Sequence, residues 1–147
     1  MTDNALPAAL AEISEDFLDL DENSRLELLL DFSRELPELP ARYSDHPEEL
    51  ERVAECQSPV FIRVELDEAG LVQLFATAPQ EAPTTRGFAS ILVQGLSGLS
   101  IEEALAVPSD YSQRLGLARA VSPLRLAGMT GMIRRAQRQI RLLAGHE

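Results

Sequence analysis

Two strand-like apolar runs, Val60 to Leu66 and Leu71 to Ala78, interrupt a chain that otherwise reads as helix. In the first, Val60, Ile62, Val64 and Leu66 alternate with Phe61, Arg63 and Glu65, the period of a half-buried strand. Only Asp67-Glu68-Ala69-Gly70 separates the runs, and the glycine makes a hairpin the natural link. A two-stranded hairpin is marginal in water and must pack on helices or gain a third strand. Residues 52–57 are the candidate for that strand. The requirement dictates an α+β fold, one small antiparallel sheet flanked by helices.

The flanking segments supply those helices. Residues 7–20 place Leu10, Ile13, Phe17 and Leu20 at helical spacing. Asp21 or Asn23 caps a second helix over 24–35, with Leu26, Leu29, Leu30 and Phe32 as its apolar stripe. Residues 37–43 form a proline-punctuated connection. Asp45, Pro47 and Glu48 then carry the marks of a helix start, so a short helix is expected over about 46–53. Beyond the sheet, Thr84 or Thr85 caps a helix running to about Gly95, with Phe88, Ile91 and Leu92 inward. Ser100 with Glu103 forms a capping box for 101–106, and Pro108 stops that helix. A further short helix fits about 109–115. Ser122-Pro123 opens the longest helix, 123–143, with Leu126, Met129, Ile133, Ile140 and Leu143 on its apolar side.

The 147 residues fit a single domain spanning 1–147, long enough to bury a sizeable core. No apolar run approaches the roughly 18 residues of a membrane span. The acidic start, Met1-Thr2-Asp3-Asn4, lacks the pattern of a signal peptide. A single cysteine forms no internal disulfide, which agrees with the reducing cytoplasm. Charge is uneven: residues 1–70 hold 19 acids against 5 arginines, and residues 71–147 hold 5 against 8, with no lysine anywhere. The net charge of −11 argues against nucleic-acid binding, which needs a concentrated basic footprint. The basic last helix is either a solvated face or a surface for an acidic partner.

Few residues are left for chemistry. His46 opens a helix and His146 is penultimate, and no Cys-x-x-Cys, His-x-x-x-His or Glu-x-x-His spacing exists. A zinc or iron–sulfur site built by this chain alone is therefore not expected. Phosphate-loop and nucleophile-elbow patterns are absent as well. That leaves Cys56, at the junction between the expected helix and the first strand. A lone cysteine is commonly a small buried hydrophobe. Here the flanking Glu55, Gln57 and Ser58 place it in a polar loop, where binding and catalytic groups concentrate. Glu55 should raise the thiol pKa and keep it neutral at rest, which suits a group that reacts only when a partner docks.

Glu55-Cys56-Gln57-Ser58 before a strand resembles the Gly-Cys-Gln-Ser hallmark of the SufE family of sulfur-acceptor proteins. Three further elements follow in the family's order. Arg86-Gly87-Phe88 resembles its Lys/Arg-Gly-Leu, Leu115-Gly116-Leu117 its Leu-Gly-Leu, and Ser122-Pro123-Leu124-Arg125-Leu126-Ala127-Gly128-Met129 its Ser-Pro-Ser-Arg-x-x-Gly-Leu. The resemblance covers nearly the whole chain. Glu55 stands where the family has glycine, Pro79 to Pro83 replace its acidic-serine element, and Ala127 replaces a polar residue.

The resemblance implies a fold similar to that of IscU-type scaffolds and a concrete role. Cys56 would accept persulfide sulfur from a cysteine desulfurase, a pyridoxal-phosphate enzyme, and stimulate it. The sulfur would then pass toward an Fe–S assembly scaffold such as SufBCD. Such a chain is a sulfur-carrier accessory protein rather than a stand-alone enzyme, and it carries a transient persulfide with no metal or cofactor. Arg125 matches a family arginine near the cysteine loop. It either steadies a thiolate or meets an anionic partner group, or it forms an internal salt bridge. Gln57, Ser58 and Arg86 divide likewise between binding and structural roles. Two rival functions remain: a rhodanese-type sulfurtransferase as the sulfur source, and a non-catalytic activator or binding module with an inert cysteine.

Overall fold

The computed structural model describes residues 6–145. The acidic start and His146 lie outside them. Among the described residues six helices surround one three-stranded antiparallel sheet: α1 Ala8–Leu18, α2 Glu22–Arg34, α3 Ala41–Ser44, β1 Glu51–Arg52, β2 Phe61–Leu66, β3 Val72–Thr77, α4 Pro83–Leu96, α5 Ile101–Leu105 and α6 Pro123–Leu143. Two single 3-10 turns, Pro47–Glu49 and Tyr111–Leu115, complete the order.

The hairpin forms as its sequence dictates. β2 pairs with β3 from Phe61↔Thr77 to Leu66↔Val72. In the turn, Asp67 Oδ1 accepts from the backbone N–H of both Ala69 and Leu71, and Gly70 takes a left-handed φ of 81°. Ile62 and Val64, with Val72, Leu74 and Ala76, face the helices and are buried. β3 packs on α4 and β2 on α6. The opposite face is covered by Tyr43 of α3, whose ring lies 5.4 Å from that of Phe75. There Glu65 accepts two hydrogen bonds from Arg42 and one from the Tyr43 hydroxyl. The proline-punctuated stretch thus contains a one-turn helix that roofs the sheet.

The helix expected over 46–53 does not form. A 3-10 turn at Pro47–Glu49 gives way directly to β1, where Glu51 pairs with Ile62 and Arg52 with Phe61. Only one turn separates Pro47 from Leu50, too short to repay helix nucleation, whereas the free edge of β2 satisfies the backbone at once. The third strand therefore occupies 51–52 rather than 52–57. Cys56 sits not between a helix and a strand but in the loop between β1 and β2.

Smaller differences occur at element ends. Asp21, not Asn23, caps α2, and α4 starts at Pro83 without a side-chain cap, so Thr84 and Thr85 lie inside the helix. Leu20 falls past the end of α1 and is 37% exposed. Leu143, the last residue of α6, is exposed too. Leu28 rather than Leu30 joins the core edge, while Leu30 lines an open groove with Ser33 and Arg86. Two further capping sites read from sequence hold: Ser100 and Glu103 form the reciprocal box, and Ser122 Oγ accepts from the N–H of Arg125. No described helix is long and apolar enough to cross a membrane.

Candidate functional site

The loop from Ala54 to Pro59 is closed at its stem by Val53 N–H donating to Val60 O at 2.9 Å. At its apex the N–H of Cys56 donates to Val53 O, a tight turn that folds the cysteine back toward the body. Its seat is a pair of glycines one turn apart on α6. A Cβ on Gly128 would lie 3.0 Å from Cys56 Sγ, and one on Gly131 would lie 2.7 Å from the Glu55 carboxylate. Any larger residue on this helical stripe would hold the loop off. Gly128 O is also the nearest acceptor for the thiol, at 3.7 Å.

Charged side chains of α6 tie the loop and its strand down. Arg135 Nε donates to Glu55 at 2.7 Å and its Nη1 to Glu51 at 2.8 Å. Glu51 accepts from Arg138 and from Gln139 as well, and Gln139 in turn takes the N–H of Val64 at 2.7 Å. The Arg135 hydrogen bond holds the Glu55 carboxyl below its usual range. For Glu51, burial pushes upward, but the bonds from Gln139, Arg135 and Arg138 prevail and lower it. Both acids are therefore ionised and committed.

Cys56 itself is 6% exposed. Burial, then the Glu55 charge, pushes its thiol up to about 11, with Arg135 and Arg52 pulling weakly the other way. The direction agrees with the effect expected of Glu55, but burial is the larger cause. The closed loop thus favours the neutral thiol. That preference is complete below the ordinary thiol value of about 8.5 and is lost as pH rises toward the shifted one. Alkylation of the native protein is therefore expected to climb about tenfold per pH unit from about pH 7 past pH 10. In denaturant the rate should level off near the ordinary value, and a native profile levelling there too would refute the closed, neutral thiol.

A small cleft of about 50 Å³ opens beside the sulfur, lined by Cys56, Gln57, Ser58, Thr85, Leu124, Arg125 and Gly128. The structure thus brings Cys56, Gln57, Ser58 and Arg125 together, although Arg125 is about 70 residues away in sequence. Arg125 is exposed and forms no salt bridge among the described residues, so the internal ion pair weighed for it is absent. Arg86 does not line the cleft. Its Nε donates to Ser33 O and its Nη1 to Ala78 O, stitching α4 to α2 and to the end of β3. Among the described residues no three His, Cys, Asp or Glu side chains converge as a metal site requires. Gly131, Arg135 and Glu51 were not singled out in the sequence, and Thr85 was read there only as a helix cap. For Gly131 the signal was there: a second glycine three residues after Gly128 on one helix.

A buried cysteine on a short loop, seated on a helix and flanked by a cleft for a few atoms, defines a protein that shields one thiol. Residues 11–140 match the sequence pattern of SufE, described as an Fe-S metabolism associated domain. A SufE-like protein of Mycobacterium tuberculosis is 47% identical over 93% of this chain and 94% of its own length. SufE-like protein 1 of Arabidopsis thaliana, chloroplastic/mitochondrial, is 30% identical over 91% of this chain, which spans 35% of that longer protein. The solution structure of a Thermus thermophilus protein superposes with a TM-score of 0.83 at 36% identity, covering 95% of this chain and 98% of that one. The chain belongs to the SufE family.

Proposed function

We propose that this protein carries sulfur for Fe–S metabolism as a transient persulfide on Cys56, taken from a cysteine desulfurase. The observation that supports this most is the pairing of a closed cysteine loop with a cleft of about 50 Å³ at its sulfur. Such a cleft admits one added sulfur atom but not a second protein's cysteine with its backbone. Receiving the sulfur therefore requires the loop to lift, and storing it lets the loop close.

In the open loop the Cys56 thiolate attacks the outer sulfur of the desulfurase's cysteine persulfide. The new S–S bond forms on Cys56 as the old one breaks, and the desulfurase cysteine leaves as a thiolate that takes up the proton Cys56 has lost. No external oxidant or reductant enters, because the sulfane sulfur moves at its own oxidation level. Arg125 is placed to steady the anionic sulfur, and Gln57 and Ser58 line the same cleft. Cys56 then hands the sulfur to an assembly scaffold such as SufBCD in a reducing, cytoplasmic setting, needing no bound cofactor.

Intact mass decides the matter. Incubation with a cysteine desulfurase and cysteine is expected to add about 32 Da per sulfur, reversible by a thiol reductant and absent in Cys56→Ser. A gain only with a rhodanese and thiosulfate would move the sulfur source to that enzyme class. No gain with either would leave a binding module with an inert cysteine.

A further inference from the structure

We propose that the rim of the cysteine loop is a docking surface for an acidic face of the sulfur-donating protein, gripped by Arg52, Arg125 and Arg134. The inference rests on the carrier function above and specifies the chemistry of the partner at that same site.

The chain holds 24 carboxylic residues against 13 arginines, so an arginine on its surface has carboxylates in abundance. Most are used: Arg34, Arg42, Arg63, Arg119, Arg135 and Arg138 pair with acids. Arg25 and Arg86 give their donors to backbone carbonyls. Three that do neither among the described residues stand around Cys56. Arg125 lines the cleft, Arg52 lies in β1 beside Val53 at the foot of the loop, and Arg134 stands on α6 one turn beyond Gly131, where Glu55 is seated. All three are exposed, and Arg52 is steadied over the ring of Phe61 at 5.9 Å. The acids beside them cannot neutralise them, because Glu51 and Glu55 are already held by Arg135 and Arg138.

Of the five arginines with neither kind of partner among the described residues, three thus stand on the face that must meet the partner, while Arg114 lies on the 3-10 turn Tyr111–Leu115 and Arg141 in the last turn of α6. Beside Arg125, Leu124, 52% exposed, lines the same cleft. An apolar anchor within a charged rim is the build of a protein interface. Guanidinium groups match carboxylates in fork geometry, and a local positive field on a negative molecule orients the encounter so that this face leads. Three arginines on a chain of net charge −11 are too small a footprint for nucleic acid or an anionic membrane.

The probe is a purified cysteine desulfurase turning over cysteine with this chain as sulfur acceptor. Its KM for the chain is expected to rise several-fold from about 50 to about 300 mM salt. In the Arg52→Glu/Arg134→Glu variant it should rise about tenfold or more and lose most of its salt dependence, while Arg52→Lys/Arg134→Lys recovers most of the affinity. Loading by cysteine persulfide, a small molecule needing no docking, reports on the thiol itself. The loss seen with the enzyme should exceed the loss with this reagent about tenfold. The docking surface is overturned by a KM that ignores salt and charge reversal, by equal losses with both sulfur sources, or by retention on duplex DNA or phosphatidylglycerol vesicles that the variant abolishes. Those outcomes leave the wild-type mass gain standing. Absence of that gain would defeat the carrier function itself and the docking surface with it.

Discussion

Gly131→Ala should expose Cys56 to alkylation about tenfold faster than in the parent protein at neutral pH. The added methyl would meet three atoms of Glu55, Cδ and Oε1 at 2.7 Å and Cβ at 2.8 Å. A carboxylate can swing aside, but a Cβ moves only with its backbone, so the loop must lift from α6. Steric insertion of this kind typically costs about 1–3 kcal/mol, and about 1.4 kcal/mol is a tenfold change in the open population. Alanine is also the better helix former by about 1 kcal/mol, which offsets the strain within α6. The variant should therefore keep its far-ultraviolet signal and melt close to the parent while its thiol reacts faster. An unchanged rate would show that the glycine pair does not seat the loop. Faster alkylation together with early melting would assign the change to global opening instead.

Gly87→Ala is expected to lower the unfolding free energy by about 1–3 kcal/mol, read as a lower urea midpoint at unchanged slope. The second helix passes so close to α4 here that a Cβ would stand 2.5 Å from Leu29 O, a backbone atom, and 2.8 Å from Leu29 Cδ1. Relief requires the two helices to separate, and the contact lies under Phe88 and Leu29, both fully buried. Arg86, one residue earlier, ties the same helix start to Ser33 O and Ala78 O. The Arg86-Gly87 dipeptide thus packs α4 onto α2 and the end of β3. Thr85, two positions before the glycine, lines the cysteine cleft, so a displaced α4 also shifts a wall of the site. A midpoint equal to the parent's would mean that α2 and α4 have room the close approach denies them.

Sequence and structure agree at several places where the physics is local. Alternation from Val60 to Leu66, the Asp67–Gly70 turn and the Ser100 and Ser122 caps each depend on residues a few positions apart, and each forms as expected. The SufE motifs put Cys56, Gln57, Ser58 and Arg125 on the page as a group, and the fold gathers them at one cleft. What stayed hidden falls into two kinds. β1 has two residues, too few to show a period, and the capping pattern before it pointed to a helix that the sheet edge outcompetes. The clamp of Arg135 on Glu51 and Glu55 spans 80 or more residues, and in a chain with so many acids no spacing marks which carboxylate an arginine will choose. Arg86 shows the converse. Its motif was plain, but only the fold shows the backbone carbonyls of Ser33 and Ala78 that it meets.

The bond from Val53 to Val60 that closes the loop stem sets a leash. With both feet held, Cys56 is three residues from the nearer one, and an extended chain of that length reaches about 10 Å. For a carrier this distance is shorter than any route around the molecule. On the proposed carrier function, sulfur cannot be taken in on one side and delivered on another. Source and recipient must visit the same patch in turn, each excluding the other, and the rate of delivery is then bounded by how fast the first lets go.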